Sequence, residues 1–456
     1  MKKNLILLAI VALVAVSCKD KKNEDNREDY NRETVNACIY DIMETYYLWN
    51  NNIPQQRRLK FNEKPDVFFN NLLFSGDPWS FISDDSKATN AQLDGNPYSM
   101  GFSPQFWYYN DKSNVLIIVE YVYPGSPADR AGLKRGDIIL DIDGEEMTPK
   151  NYYDLYSRKS ATYTLGTYDP KKNTLNDNGT KLKLEAAAIK ADPSIYDTIY
   201  MVGNKPVGYL VYTAFASDTS YFSSMDAIFD NFKSAGVKDL ILDLRYNRGG
   251  SIETAGHLAA AIAPADVVNN HEVLITYIYN DILTEYFNSY KAQNQDDETI
   301  YRIPGNTHNA DIENLYVLGT NNTASASELI IVGLQPYMNV KLIGTETYGK
   351  YTGMFIFDSD VEGCKDLENW AVLPVCMKYA NSVGYTDFDN GLKPDYEIDD
   401  NLLNAYPLGD PNDPVIATAL DVVGGLPLTA KSAYVNPFTP LRTDNPSAIN
   451  NLIINK

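Results

Sequence analysis

Two segments of the chain carry residues whose types and spacing suit nucleophilic catalysis. Ser325 lies among small residues in Thr323–Glu328, at the start of a predicted helix that follows a predicted strand. At such a turn a serine hydroxyl can project into a cleft, and the helix N-terminus favours developing negative charge. Lys350 follows 25 positions later, just past the next predicted strand. A neutral lysine can accept the proton of a serine hydroxyl, so a serine nucleophile with a lysine base is a chemistry that these residue types allow.

A third segment could stabilise the oxyanion of such a reaction. Asp243–Gly250 ends a predicted buried strand and closes with Gly249 and Gly250. Paired glycines permit close backbone approach and can present N–H groups to an anion. We therefore expect the oxyanion to be held by the N–H of Gly249 or Gly250 and by that of Ala326, the residue after the nucleophile.

Each of these signals also has a structural interpretation. Ser325 and Glu328 have the spacing of a capping box, which stabilises a helix without any catalytic role. Two glycines after a strand are commonly only a turn, and most lysines such as Lys350 are solvated. The three histidines are predicted to lie in a helix, at a strand edge and in a loop, so a Ser-His-Asp hydrolase is the weaker enzymatic interpretation; they are His257, His271 and His308.

The elements around these segments predict an α/β domain. From Pro206 onward, short apolar runs alternate with segments of helical periodicity, which is typical of a mostly parallel sheet covered on both faces. The predicted strands are Val207–Tyr212, Asp239–Asp243, Leu315–Leu318 and Val340–Ile343. The predicted helices are Tyr221–Phe232, Thr254–Ile262, Ser325–Leu334 and Asp413–Val423.

The middle of the chain resembles a PDZ domain. The resemblance rests on Tyr98–Phe102 and on Gly125–Ile139, which is followed by Asp141–Gly144. It implies a peptide-binding loop formed by Ser99, Met100, Gly101 and Phe102, whose N–H groups would bind a terminal carboxylate beside an open strand edge. Gly125–Ile139 is also compatible with a helix and turn of another β domain.

Together the motifs resemble those of the C-terminal processing, or tail-specific, serine proteases. Asp243–Gly250, Thr323–Leu329 and Gly344–Lys350 occur in the family's order, and the resemblance extends from Asn36 to Val423. It implies a crotonase-like or ClpP-like protease core after a PDZ domain, with Ser325 as nucleophile and Lys350 as base. It also implies protein or peptide substrates bound by their C-termini, and no cofactor or metal.

One position departs from the family pattern. Several members carry a glutamine four residues after the lysine, where this chain has Met354. A methionine offers little hydrogen bonding, so we expect another polar group to orient Lys350. This departure favours the rival hypothesis, a non-catalytic peptide- or ligand-binding protein on the same scaffold, whereas the presence of both Ser325 and Lys350 favours the enzyme.

The N-terminus predicts export and lipid anchoring. Lys2 and Lys3 precede an apolar run over residues 5–16, and Ala15–Cys18 resembles a bacterial lipobox. We expect Cys18 to be lipidated after cleavage and to anchor the protein in the cell envelope, on an outer membrane facing the periplasm or the cell surface. The alternative is an ordinary signal peptide with an incidental cysteine.

The remaining organisation follows from composition. The predicted segments are a signal peptide (1–17), a tether (18–33), a helical region (34–95), the PDZ domain (96–190), the protease core (191–425) and a tail (426–456). A formal net charge of −21 disfavours nucleic-acid binding, because the chain would repel phosphate backbones. In an oxidising compartment Cys364 and Cys376 could pair and leave Cys38 free.

Overall fold

The structure is a computed structural model that describes residues 27–294, 297–361, 363–426 and 436–441, with side chains from residue 33 onward. The predicted signal peptide (1–17) and the lipidation site Cys18 lie outside the described residues. No helix within these ranges is long and apolar enough to cross a membrane.

The N-terminal region is helical, as its apolar spacing predicts. Its elements are α1 (Arg27–Tyr46), α2 (Pro65–Asn70), strand β1 (Phe81–Ser83) and α3 (Ser86–Leu93), with 3-10 turns at Asn50–Asn52 and Gln56–Arg58. Helix α1 starts earlier than the predicted boundary at residue 34, so residues 27–33 of the predicted tether are helical. These residues include Arg27, Glu28 and Glu33, which are good helix formers, and acidic groups are favourable near a helix N-terminus.

The middle region is an antiparallel β domain with two short helices. Its central sheet has the strand order β3-β4-β5-β7-β8, and each neighbouring pair is antiparallel. The elements are β2 (Tyr98–Ser99), β3 (Phe102–Tyr109), β4 (Asn114–Val122), α4 (Pro127–Arg130), β5 (Ile138–Ile142), β6 (Glu145–Glu146), α5 (Tyr152–Tyr156), β7 (Ser160–Asp169), β8 (Thr174–Glu185) and β9 (Ala187–Ala188).

The elements from residue 194 onward form two sheets and their covering helices. The first part comprises β10 (Ser194–Val202), β11 (Lys205–Tyr212), α6 (Phe222–Ser234), β12 (Asp239–Asp243), α7 (Ile252–Ile262), α8 (Ala265–Asn269), β13 (Val273–Tyr279), α9 (Asp281–Asn294), β14 (Ile300–Arg302) and β15 (Asn314–Gly319). The second part comprises α10 (Ala326–Leu334), β16 (Asn339–Gly344), β17 (Thr352–Met354), β18 (Ala371–Leu373), β19 (Val375–Asn381), β20 (Tyr396–Glu397), α11 (Pro414–Val423) and β21 (Thr439–Pro440). Three 3-10 turns complete it: Thr219–Tyr221, Lys365–Leu367 and Leu402–Asn404.

The larger sheet confirms the α/β fold predicted from the sequence. Its strand order is β10-β11-β12-β15-β16-β20, and every pair is parallel except β10 with β11. Helices α6, α7 and α10 pack on one face, and α11 packs on the other. All five residues of β12 are buried, as expected for a strand covered on both faces. The carboxyl end of β12 leads into the glycine turn, that of β15 into the Ser325 segment and that of β16 into the Lys350 segment.

A second sheet, with the order β14-β13-β19-β17, is antiparallel throughout and was not predicted. It links the core to the N-terminal region, because Met354, Val375 and Met377 share one apolar cluster with the buried face of α1. Strand β1 also pairs with β18. The N-terminal helices therefore pack against the antiparallel sheet of the core domain instead of forming a separate hydrophobic core.

A buried ion-pair cluster joins the PDZ-like domain to the core. Arg245 is fully buried and binds Asp243 at 2.7 Å, Asp400 at 3.0 Å and Asp413 at 3.1 Å. Arg135, from the loop before β5, also binds Asp400 at 3.0 Å. Removing one partner of such a cluster leaves an uncompensated buried charge, so these contacts hold the two domains in one arrangement.

The cysteines do not form the pair considered from the sequence. None of the three described cysteines is in a disulfide, and the Cys376 thiol donates to the carbonyl of Pro374 at 3.3 Å. Cys38 instead interacts with Cys364, and its Sγ lies 3.8 Å from the carbonyl oxygen of Gly363. The side-chain hydrogen bond with Cys364 and burial raise the pKa of the Cys38 thiol.

Candidate active site

Ser325 sits at a strained turn that sets it apart from an ordinary helix cap. It is fully buried, precedes the first residue of α10, and has φ of +60° and ψ of −112°. A non-glycine residue in this region stores strain, which proteins keep mainly at functional positions. The Oγ atom makes no capping hydrogen bond and has no hydrogen-bond partner among the described residues. A hydroxyl left free at a strained turn is suited to attack.

Glu328 holds the serine and lysine segments together. Its Oε2 accepts hydrogen bonds from the backbone N–H of Ser325 and from that of Lys350, both at 2.8 Å. Its Oε1 accepts from the Thr347 hydroxyl at 2.5 Å and from the Gly349 N–H at 2.7 Å. Burial raises the pKa of Glu328, and these four hydrogen bonds oppose that shift. The capping contact between the Glu328 carboxylate and the Ser325 N–H is thus present, and the same carboxylate also binds the Lys350 segment.

Lys350 lies in a dry environment. Its side chain is fully buried, and this desolvation lowers its pKa to about 7, against smaller opposing effects of Asp77 and Glu328. The interpretation as a solvated surface lysine is therefore wrong. Near pH 7, a substantial part of this amine is neutral and able to accept a proton.

Met354 has a polar role that the sequence analysis did not assign to it. The Nζ of Lys350 points to the thioether Sδ of Met354 at 4.0 Å, a weak acceptor. Met354 is itself fully buried in β17. No hydrogen bond joins Nζ to Ser325 Oγ, because that oxygen has no partner among the described residues. Contacts of this kind are often long without substrate and tighten only in the complex.

Tyr379 also connects the Ser325 segment to the Lys350 segment. Its buried hydroxyl lies 3.1 Å from the carbonyl oxygen of Ser325 and 3.3 Å from that of Lys350. Burial raises the pKa of this phenol well above its ordinary value, so it remains a proton donor. Glu328 and Tyr379 together bind both the N–H and the C=O of Ser325 and of Lys350.

The glycine turn lies against the nucleophile. A Cβ on Gly249 would come within 2.8 Å of Ser325 Cβ and 3.0 Å of Ala326 N, and a Cβ on Gly250 would come within 2.1 Å of the carbonyl oxygen of Phe215. Both residues have positive φ, so only glycine fits. The N–H of Gly249 donates to Asn247 Oδ1 at 2.9 Å. Of the three predicted donors, Gly249 is thus engaged within the protein.

Buried polar groups of the PDZ-like domain reach this turn. Glu120 is fully buried in β4 and forms a 3.4 Å ion pair with Arg248, the residue before Gly249. The amide of Asn322, three residues before the nucleophile, donates to Glu120 Oε1 at 2.6 Å. Glu120 is an acidic residue within the otherwise apolar run of β4. This position was a sequence signal for such a contact, because a buried carboxylate needs partners.

A cleft lies between the PDZ-like domain and the nucleophile segment. It encloses about 360 Å³ and is lined on one side by Gln105 and Trp107 of β3, and on the other by Arg248, Asn322 and Ala324. Ala324 directly precedes the buried Ser325, so the cleft lies next to the segment that carries this serine.

The predicted peptide-binding loop lies where β2 meets β3. Gly101 has φ of +84°, and a Cβ there would come within 2.2 Å of Ser126 Cβ. Its N–H donates to Ser99 Oγ at 3.1 Å, so a bound carboxylate would have to replace that hydroxyl. Met100 and Phe102 are buried in the domain core, so their side chains offer no exposed apolar surface beside the loop.

The three histidines are engaged elsewhere. His257 bonds Asp226 at 2.7 Å and stacks on Phe222, and His308 bonds Asp230 at 2.9 Å. The ring of His271 contacts the carbonyl oxygen of Ile303. The described contacts therefore place no histidine with Ser325, in agreement with the sequence prediction.

Several residues of the site were missed from the sequence. Asn247 is fully buried: its amide donates to the Tyr212 carbonyl, and its own carbonyl accepts from the Ala324 N–H and the Ser327 hydroxyl. Tyr379 lies on a strand that local patterning did not reveal. These residues act through backbone contacts between distant segments, which no short motif encodes.

The fold is a mostly parallel α/β core with an attached PDZ-like domain, and its buried Ser325 and Lys350 lie on segments that share the carboxylate of Glu328. Family models match Peptidase family S41 over residues 206–398, a PDZ domain over 118–157 and the Peptidase S41 N-terminal domain over 34–81. The chain belongs to peptidase family S41.

Relatives and solved structures agree with this assignment. The chain is 24% identical over 330 residues to the "Probable CtpA-like serine protease" of Staphylococcus aureus, covering 71% of this chain and 57% of that protein. It is 26% identical over 330 residues to "Carboxy-terminal processing protease CtpA" of Bacillus subtilis, covering 70% of this chain and 60% of that protein. The chain thus spans about three fifths of the length of these relatives.

Two solved structures share its fold. An S41-family chain from Bacteroides fragilis has a TM-score of 0.67 and 26% identity, covering 90% of this chain and 99% of that one. The photosystem II D1 C-terminal processing protease has a TM-score of 0.52 and 19% identity, covering 82% of this chain and 94% of that one.

Proposed function

We propose that the protein is a serine endopeptidase that cleaves protein substrates recognised by their C-termini, with Ser325 as nucleophile and Lys350 as base. The observation that carries the proposal is the pairing of a free, strained serine hydroxyl with a desolvated lysine on one shared carboxylate, Glu328. A scaffold that only bound peptides would gain nothing from burying an amine at this position.

In the proposed reaction, neutral Lys350 Nζ accepts the proton of Ser325 Oγ as that oxygen attacks the carbonyl carbon of the scissile peptide bond. The resulting ammonium then gives the proton to the leaving amine, the C–N bond breaks and an acyl-enzyme remains. Water, deprotonated by Lys350, attacks the ester, releases the new carboxyl terminus and restores the serine.

The oxyanion of each tetrahedral intermediate needs donors at the glycine turn. The N–H groups of Gly250 and Ala326 are the proposed donors, since Asn247 Oδ1 accepts from Gly249. The contribution of Gly249 is its lack of a side chain, which lets this turn approach Ser325 and Ala326 closely.

Hydrolysis of an unstructured protein substrate tests the activity. The full chain should cleave it, and Ser325→Ala should reduce kcat by about 10⁴-fold or more. Labelling by a serine-reactive probe should disappear in the same variant, while circular dichroism stays unchanged. A folded wild-type chain that neither cleaves nor takes up the probe would favour the alternative, a non-catalytic peptide- or ligand-binding protein on this scaffold.

We also propose that the mature protein is a lipoprotein of the cell envelope, on the basis of the lipobox-like segment Ala15–Cys18. Cys18→Ala should move the protein from the membrane fraction to the soluble fraction, because one or more acyl chains supply the anchor. Fractionation followed by immunoblotting measures this, with Cys38→Ala as the matched cysteine control. Full membrane retention of the Cys18→Ala chain would contradict the anchor.

A further inference from the structure

The chain's own C-terminal part occupies the free edge of the PDZ-like sheet. Strand β21 pairs with β3 in antiparallel register, with Thr439 opposite Tyr108 and Pro440 opposite Trp107. The N–H of Leu441 then donates to the carbonyl of Phe106 at 3.0 Å. Strand β3 has β4 on its other side, so β21 fills the edge on which an added peptide strand would have to pair.

The direction of this segment matches that of a bound C-terminal peptide. From Thr439 to Leu441 the tail runs from Tyr108 toward Phe106, and therefore toward the loop at Gly101 that precedes β3. A peptide whose carboxylate lay at that loop would run along β3 in the same antiparallel direction. Beyond its last four or so residues, such a peptide would reach the positions that β21 already occupies.

Two buried side chains anchor the segment. Leu441 is 7% exposed and packs in the same apolar cluster as Phe106 and Tyr156 of the PDZ-like domain. Phe438 is 8% exposed and lies in a cluster with Tyr246 of the protease core, with its ring 5.2 Å from that of Tyr168. The intervening Thr439 and Pro440 are exposed and contribute mainly their backbone.

The same segment also lines the cleft beside the Ser325 segment. Asn436, Phe438, Pro440 and Leu441 line the 360 Å³ cleft whose opposite wall includes Arg248 and Ala324. The tail therefore lies both on the edge of β3 and in the cleft next to Ala324, the residue before Ser325.

We propose that residues 436–441 are an internal ligand of the PDZ-like domain, which a substrate's C-terminal segment must displace before it pairs along β3. The proposal rests on the proposed function, since it names the regulation of the same peptide-binding edge. An attached ligand competes at a high effective concentration, so its removal should tighten peptide binding by about tenfold or more.

The test measures peptide binding in the Ser325→Ala background, where the probe stays intact. The probe is a fluorescent decapeptide with a free carboxylate and an apolar last residue, and its amidated form is the control. The chains compared are the full chain, a chain ending at residue 426, Leu441→Lys, and the matched control Thr439→Ala. Hydrogen exchange of the β3 amides is followed in each, and circular dichroism confirms folding.

Truncation and Leu441→Lys should both tighten binding of the free-acid decapeptide and speed exchange in β3, because a charge at the buried Leu441 position undocks the segment. Thr439→Ala should behave as the full chain. A synthetic peptide of residues 427–456 should restore slow exchange to the truncated chain. Unchanged affinity and unchanged exchange in both tail variants would overturn the proposal.

A further outcome would separate the two hypotheses: the tail variants show faster exchange in β3, but neither the full chain nor the truncated chain binds the free-acid decapeptide. It would overturn both the competition and C-terminal recognition, whereas hydrolysis by Ser325 would be unaffected. Equal binding of free-acid and amidated peptides, with tightening on truncation, would keep the internal ligand and contradict only carboxylate recognition.

Discussion

Lys350→Arg is expected to abolish peptide-bond hydrolysis, lowering kcat/KM by about 10⁴-fold or more, while the chain stays folded. An arginine keeps the positive charge but does not deprotonate at accessible pH, so no base remains for Ser325. Hydrolysis of an unstructured protein substrate, followed by initial rates, measures the effect. Robust cleavage by folded Lys350→Arg would contradict the Ser-Lys mechanism.

The pH dependence of hydrolysis by the parent chain is a second test of Lys350 as a neutral base. Hydrolysis needs the unprotonated amine, so kcat/KM should rise with pH and level off above the pKa of Lys350, which burial lowers to about 7. Two pH units below that value, only about one hundredth of the amine is neutral. A profile that rises only near the pKa of an ordinary lysine would contradict the neutral base.

Two controls separate this result from structural damage. His257→Ala removes a histidine that is bound to Asp226 and stacked on Phe222, and it should leave hydrolysis nearly unchanged. Adding Ser325→Ala to Lys350→Arg should cost little further activity, because the two residues act as one unit.

Glu328→Gln should lower kcat/KM by about 10²-fold to 10³-fold without unfolding the chain. All four groups around this side chain are donors, namely three backbone N–H groups and the Thr347 hydroxyl. A carboxylate accepts from all of them, whereas an amide turns its own N–H groups toward two of them. The loss of these hydrogen bonds should release both Ser325 and Lys350 from their shared position.

A positioning role for Glu328 also predicts a change that simple destabilisation would not produce. Its negative charge raises the pKa of Lys350 against the larger effect of burial, so the Glu328→Gln profile should shift to lower pH. Glu346→Gln makes the same charge change at an exposed position of the neighbouring loop and should alter neither rate nor profile. A Glu328→Gln chain with the parent's rate and profile would contradict this role.

The parts of the fold that sequence patterning predicted are those with local, periodic signals. Strand Asp239–Asp243 has the predicted bounds, because an apolar run between turn residues defines it. The antiparallel sheet of β13, β14, β17 and β19 was missed. Its central pair, β13 with β19, joins residues about 100 positions apart, such as Ile275 with Asn381, and such partners cannot be inferred from local periodicity.

The residues of the candidate site were likewise predicted where a short motif contains them and missed where only long-range contacts define them. Ser325, Lys350 and the glycine turn were found because each belongs to a short motif, and the structure brings all three segments together. Met354 was interpreted as a loss, since its side chain alone offers little hydrogen bonding, yet its sulfur lies 4.0 Å from the lysine amine. The pairing of β21 with β3 depends on contacts between residues 108 and 439, which the sequence does not reveal.

The ion-pair cluster around Arg245 determines when, during folding, the junction between the PDZ-like domain and the core can close. During synthesis the N-terminal part of a protein emerges and begins to fold first. Arg135 and Arg245 are then made long before Asp400 and Asp413, the acidic groups that they share across the domain junction. Until the chain up to about residue 413 is available for folding, closing this junction would bury arginine charge without its full set of partners. The PDZ-like domain and the core therefore reach their final arrangement only after nearly all of the chain is present.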